Sequence, residues 1–109
     1  MSADADRILD AVRAIPHGSV ASYGEIAQRA GLPRRARLVA RVLSHNEDPS
    51  LPWHRVLRAD GRIAFTAGSE PHAEQCRRLR AEGVQVVAGR VAGLRRTPSV
   101  DEMLWGPVD

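Results

Sequence analysis

Among its 109 residues the chain has a single cysteine, Cys76, and every one of its 16 basic residues other than histidine is an arginine. One thiol excludes an internal disulfide framework and a cysteine-based zinc site. Aromatic residues are only 4% of the sequence, so Tyr23, Trp53, Phe65 and Trp105 are each informative. No apolar run approaches the roughly 20 residues of a membrane span. Residues 1–20 also lack the charged-then-apolar order of a signal peptide. A soluble, cytoplasmic chain with no membrane partner is expected. The hydrophobic fraction of 43% is ordinary for a folded protein. The length suits a single domain over 1–109 with one modest core, and no repeat or linker divides it.

What is present is unevenly placed. The net charge is +3, yet the excess sits wholly in residues 29–62, with eight arginines against three acids. Arginine suits phosphate and base contacts because its planar fork binds bidentately and stacks. A lysine-free chain equally follows from codon bias, and composition does not separate the two.

Spacing organises the chain into short helices. Ile8, Leu9, Val12 and Ile15 share one helical face, with Asp4 or Asp6 as cap and Pro16 and Gly18 as terminators. Ser22 and Glu25 stand at capping-box spacing before Ile26 and Ala27, and Gly31 and Pro33 close that helix. In "RRARLVARVLSHN", Ala36, Val39, Ala40 and Leu43 fall on one side and Arg34, Arg37 and Arg41 on the other. Two short helices around a glycine turn form a helix-turn-helix pattern, although a basic helix face is as often merely solvated. "HRVLRADGRIAF" alternates around Asp60-Gly61 and predicts a hairpin, the wing of such a domain. Ser69, Pro71 and Gly83 bracket a further helix. "VQVV" predicts a short strand, "VAGRVAGLRRTP" a loop, and Ser99 with Glu102 a last capping box.

The residues most suggestive of chemistry lie in "LPWHRVL", where Trp53 adjoins His54 and Arg55. His54 and Arg55 suit a general base with an oxyanion partner. No Ser-His-Asp order, HExxH or Walker sequence accompanies them, and the four histidines are far apart. Trp53 is no nucleophile; it can stack on a planar ligand, wall a pocket or fill a core. Cys76 falls on the apolar side of its helix with Ala73 and Leu79, which favours a buried structural thiol.

Together "IPHGSVASYGEIAQRAGLP", "RARLVARVLSHN", "LPWHRVLRADGRI" and "LRAEGV" resemble, in colinear order over most of residues 5–87, the DNA-binding domain of the O6-alkylguanine-DNA alkyltransferases. In those enzymes the motif reads Pro-Cys-His-Arg and its cysteine accepts the alkyl group. Trp53 stands at that position here, the signature of the alkyltransferase-like proteins, which resemble the enzymes without transferring the group. The resemblance implies that Tyr23 rotates the target phosphate and that Arg37 is a finger replacing an extruded base. Ser22, with Arg34 and Arg41 of the basic helix face, completes the expected DNA-binding set, and family members dock this helix in the minor groove. Tyr23, Trp53, Val56, Phe65 and Thr66 would form the lesion pocket. Asn46, His54, Arg55 and Glu82 would remain as structural support from an active site. One departure stands out: "IAFTAG" lacks an arginine that, in some alkyltransferase-like proteins, reaches the pocket from beyond the wing.

The expectation is therefore a mainly α winged helix-turn-helix domain with a small β-hairpin wing, like the C-terminal domain of the alkyltransferases. It would act without metal or cofactor, as a monomer on duplex DNA containing O6-alkylguanine, nucleoid-associated if bacterial. Nucleotide excision repair proteins are the implied further partners. The alternatives are an active alkyltransferase using Cys76, a hydrolytic activity at His54, and a winged-helix transcription regulator.

Overall fold

A computed structural model describes residues 3–91; Trp105 and the expected capping box at Ser99–Glu102 lie outside them. Helix α1 (Ala3–Arg13) buries Ile8, Leu9 and Val12, and Ile15 follows them inward. Asp4 and Asp6 both lie within its first turn, where carboxylates complement the helix dipole. Strand β1 (Ala21–Ser22) leads directly into α2 (Tyr23–Arg29). The capping box forms as the spacing predicts. Ser22 Oγ accepts from the Glu25 N–H at 3.1 Å, and the Glu25 carboxylate accepts from the Ser22 N–H at 3.3 Å.

Helix α3 (Ala36–Ser44) packs across α1 and α2, completing the helix-turn-helix. Its inward face is turned relative to the sequence expectation. Val39 is fully buried, Leu38, Val42 and Leu43 pack partly against the core, and Ala40 is exposed. The reason is area: leucine and valine side chains remove far more apolar surface from water than a methyl group. Arg34 precedes the helix, in the turn, with a left-handed φ of +66°.

Trp53–Arg55 form one 3₁₀ turn that delivers the chain into β2 (Val56–Leu57). β2 runs parallel to β1, with Ala21 opposite Val56 and Ser22 opposite Leu57. This pair is the seam between two clusters of buried side chains. Ala21 and Val56 join Ile8, Val12, Ile26 and Val39 beneath the helix-turn-helix. Val20 and Leu57 join Ile63, Leu79, Val84 and Val91 beneath the wing. The two-residue side-chain period of a strand produces that division.

The wing differs in detail from its expected form. The Asp60-Gly61 turn is present, with the Arg58 N–H donating to the Arg62 carbonyl at 2.9 Å. Beyond it the chain leaves β2: Arg62 bridges Arg90, and the Ile63 N–H donates to the Gly89 carbonyl at 2.9 Å. The two-stranded hairpin is instead β3 (Val86–Val87) with β4 (Arg90–Val91), where the sequence suggests a strand and then a loop. Ala88 and Gly89 join them at φ +52° and +75°, the paired positive φ of a tight two-residue hairpin loop. A Cβ on Gly89 would also lie 2.8 Å from His72 Nε2. Val86 and Val91 are buried on the second cluster, which supplies the apolar pull for this pairing. Between wing and hairpin, α4 (Glu70–Ala81) starts at Ser69, whose Oγ accepts from the His72 N–H. No helix among the described residues is long and apolar enough to cross a membrane.

Candidate nucleic-acid interface and aromatic cavity

The outer face of α3 presents Arg37, Ala40, Arg41 and Ser44, all exposed and spaced to share one stripe. Arg34 and Arg35 stand exposed in the turn ahead of it. None of these four arginines has an ion-pair partner among the described residues, whereas most arginines elsewhere do. The small side chain of Ala40 between Arg37 and Arg41 leaves the backbone of α3 open to close approach.

At the C-terminal end of that stripe lies a cavity of about 620 Å³, within the range of small-ligand sites. Tyr23, from the first turn of α2, Trp53 and Phe65 supply its aromatic wall, with Leu43 and Gln75. Trp53 and Phe65 meet edge to face at 6.0 Å. Burial raises the Tyr23 pKa, so its hydroxyl is neutral and able to donate. Asn46 and Asp48 form a further wall in an Asx turn, the Asp48 N–H donating to Asn46 Oδ1 at 3.1 Å.

Not every residue expected in the pocket is there. Val56 is buried at the β1–β2 seam, 1% exposed, and Thr66 is an exposed loop residue whose carbonyl accepts from Ser69 Oγ. Neither lines the cavity. Ser22 is buried and its hydroxyl is committed to the α2 cap, which sets it apart from the exposed arginines.

Conversely, the structure supplies a cation that the sequence reading does not include. The Arg78 guanidinium lies 5.2 Å from the Trp53 ring centroid, held there by a 2.9 Å bond from its Nε to Glu74. Arg78 borders a separate polar cleft and not the aromatic cavity, so the indole stands between the two. The Glu74–Arg78 spacing of four is the available signal. Two further arginines, Arg58 and Arg90, join Arg62 on the wing.

Behind Trp53 is a dense polar hub. His54 Nε2 lies 2.7 Å from Glu82 Oε2, and Arg55 reaches both Glu82 oxygens, at 2.9 and 2.7 Å for its best bonds. Arg55 also donates to the Ile15 carbonyl, and the Gly18 N–H donates to Glu82. Burial pushes the Glu82 pKa up, but the bonds from Arg55, His54 and Gly18 outweigh it and hold the carboxyl at about 2. Burial lowers the His54 pKa, with Glu82 opposing, so the ring is neutral near pH 7. An ionised Glu82 fixes the proton on Nε2, which leaves Nδ1 as a buried acceptor without a partner among the described residues. Gln75, itself buried, staples the turn by donating to the His54 and Val56 carbonyls, both at 3.0 Å. Thus Asn46, His54, Arg55 and Glu82 divide: Asn46 shapes the cavity, and the other three make one scaffold under it.

Cys76 is buried, as its helical position predicts, and does not line the cavity. Among the described residues no cluster of three or more His, Cys, Asp or Glu is arranged to hold a metal ion.

Residues 4–84 match the family described as 6-O-methylguanine DNA methyltransferase, DNA binding domain. The chain is 34% identical over 102 residues to alkyltransferase-like protein 1 of Schizosaccharomyces pombe, covering 93% of each chain. It is 42% identical over 91 residues to the DNA base-flipping protein of Escherichia coli K12, covering 83% of this chain and 69% of that one. Among solved structures it is similar to S. pombe Atl1 in complex with damaged DNA containing O6-carboxymethylguanine. That match has a TM-score of 0.74 at 34% identity and covers 98% of each chain.

Proposed function

This chain belongs to the 6-O-methylguanine DNA methyltransferase DNA-binding-domain family, and from that premise we propose that it is a non-enzymatic sensor of O6-alkylguanine in duplex DNA. The exposed arginines of α3 take the phosphate backbone, with Arg37 as the finger that fills the stack. The alkylated base turns out of the duplex into the aromatic cavity and rests against Trp53. The bound complex then marks the site for nucleotide excision repair, a step that rests on the family resemblance alone.

The observation that carries this reading is the position of Trp53. Its indole walls a cavity at the end of an exposed basic helix face, beside a His54–Glu82–Arg55 scaffold. An indole accepts no alkyl group, but it offers a stacking surface. Flipping a base costs a few kcal/mol, less for a damaged pair, and stacking on one aromatic returns roughly 1–3 kcal/mol.

The test is binding to matched duplexes with and without O6-methylguanine, followed by intact-mass and peptide-mass measurement of the protein. The expected result is preferential, reversible binding with unchanged protein mass and intact lesion. A mass gain of one alkyl group on the Cys76 peptide would replace the sensor by an enzyme. Equal affinity for both duplexes, with a preference for one undamaged sequence, would indicate a transcription regulator.

A further inference from the structure

The wing carries an arrangement that costs stability in the free protein. Arg62 and Arg90 are paired across an antiparallel bridge, where opposed side chains lie about 5 Å apart and like charges repel. Arg58 joins them, its N–H bonded to the Arg62 carbonyl across the turn. One carboxylate answers these three guanidinium groups: Asp60, 3.7 Å from Arg62 Nε. Its pKa is lowered first by the Arg62 N–H and then by the charges of Arg58, Arg62 and Arg90. Arg58, Arg62 and Arg90 are exposed, and Arg58 and Arg90 have no carboxylate within ion-pair distance among the described residues.

The location matters as much as the charge. Phe65 lines the aromatic cavity and lies three residues after Arg62, a reach of about 10 Å at most. Leu43 and Ser44, at the end of α3, also line the cavity. The aromatic cavity is thus bordered by α3 and by the wing segment. About 10 Å is the axial rise of roughly three nucleotides of one strand.

We infer that Arg58, Arg62 and Arg90 form a second phosphate-binding surface, which holds the DNA backbone on the wing side of the cavity while α3 holds it on the other. The inference rests on the reading that the chain binds duplex DNA. A polyanion relieves the repulsion built into the Arg62–Arg90 bridge, so the free-state cost becomes bound-state attraction. Arg90 lies outside the residues 4–84 matched by the family, on the β3–β4 hairpin.

The experiment compares the full chain with Arg90→Gln, Arg90→Lys and the triple Arg58→Gln/Arg62→Gln/Arg90→Gln. Affinity for undamaged and O6-methylguanine duplexes is followed across a salt series, with the thermal midpoint of each free protein. Removing one arginine–phosphate pair should lower the log–log salt slope by about 0.9, so the triple variant drops by roughly 2–3 and Arg90→Gln by about 1. Arg90→Lys should keep the slope. The ratio of damaged to undamaged affinity should stay within about twofold of wild type, and the midpoint of Arg90→Gln should equal or exceed that of wild type. A wild-type slope in the triple variant, folded by its midpoint, would overturn the wing surface while leaving the lesion reading intact. A reduced slope in a chain that shows no lesion preference would support the wing surface and sink the lesion reading.

Discussion

Two regions of this molecule hold arginines in opposite ways. Under Trp53, Arg55 is 15% exposed and donates to both oxygens of Glu82 and to a backbone carbonyl. On α3, Arg37 and Arg41 are exposed, with no carboxylate within ion-pair distance among the described residues. A buried charge left alone is costly, so the hub surrounds each of its charges with partners. An exposed guanidinium needs no such compensation, and on α3 it receives none. The difference separates roles within one residue type: a satisfied arginine maintains the scaffold, and an unsatisfied row of them is available to a polyanion.

The largest expected effect breaks the first half of that contrast. Glu82→Ala strands Arg55 beneath the site and should destabilise the fold by about 3–5 kcal/mol in denaturant titration. The same hub sets the acid response. Glu82 titrates at about 2 in the folded chain, against roughly 4.3 for an unperturbed carboxylate. Its contribution is fully present above pH ~4.3 and is lost as pH falls toward 2. His54, whose folded pKa is lowered, takes its proton more readily in the unfolded chain, so stability starts to decline below pH ~6.5. Glu82→Gln should flatten the acid limb of a stability–pH curve; an unchanged limb would contradict the hub.

Next in size is Trp53→Ala, made alongside Trp105→Phe so that the fluorescence of Trp53 can be read alone. Losing one stacking surface should reduce lesion preference about ten- to a hundredfold, leaving salt-sensitive binding to undamaged DNA in place. A sharp fall in melting temperature with preference untouched would make Trp53 a core residue. Arg37→Ala sharpens the second half of the contrast. It should weaken lesion binding roughly tenfold and reduce the salt slope by about 1, whereas Arg80→Ala, on α4 and bonded to the Val86 carbonyl, should change little. Equal losses would place the binding face elsewhere. The smallest effect is that of Arg78→Met, which removes a cation–π interaction worth about 0.5–1 kcal/mol. It should alter Trp53 fluorescence and lower lesion preference a few-fold, with the salt slope unchanged because Arg78 is not part of the proposed phosphate-binding face.

Local chemistry is legible in the sequence where it is self-contained. The Ser22–Glu25 box, the Ser69 cap and the buried face of α1 depend on residues within one turn of each other, and the structure has all of them. The face of α3 is less legible because Ala40 and Leu38 compete for burial against helices far away in sequence. The Asp60-Gly61 signal predicts a turn correctly, but turn chemistry says nothing about which strand the emerging limb will join. Arg62 pairs with Arg90, and that pairing depends on a hairpin whose loop, Ala88-Gly89, resembles an ordinary loop in sequence. Trp53, Tyr23 and Phe65 share one cavity wall, yet their convergence could be anticipated only through the family resemblance. Val56 and Thr66, expected on the same grounds, lie outside that wall. Arg78 escapes a sequence reading because its partner is an aromatic ring 25 positions earlier.

The parallel pair of β1 and β2 is only two residues long on each side, but it ties the start of α2 to the end of the Trp53 turn. Tyr23 follows directly from one strand and Trp53–Arg55 runs directly into the other, with Gln75 pinning that turn from behind. The start of α2 and the Trp53 turn are thus tied to each other, among the described residues, by one short strand pair and the two Gln75 bonds. With the two tied so closely, the proposed recognition would draw its motion chiefly from the nucleic acid and little from the protein. Its search would be governed by how often each base swings out unaided, and a pair loosened by damage opens most often.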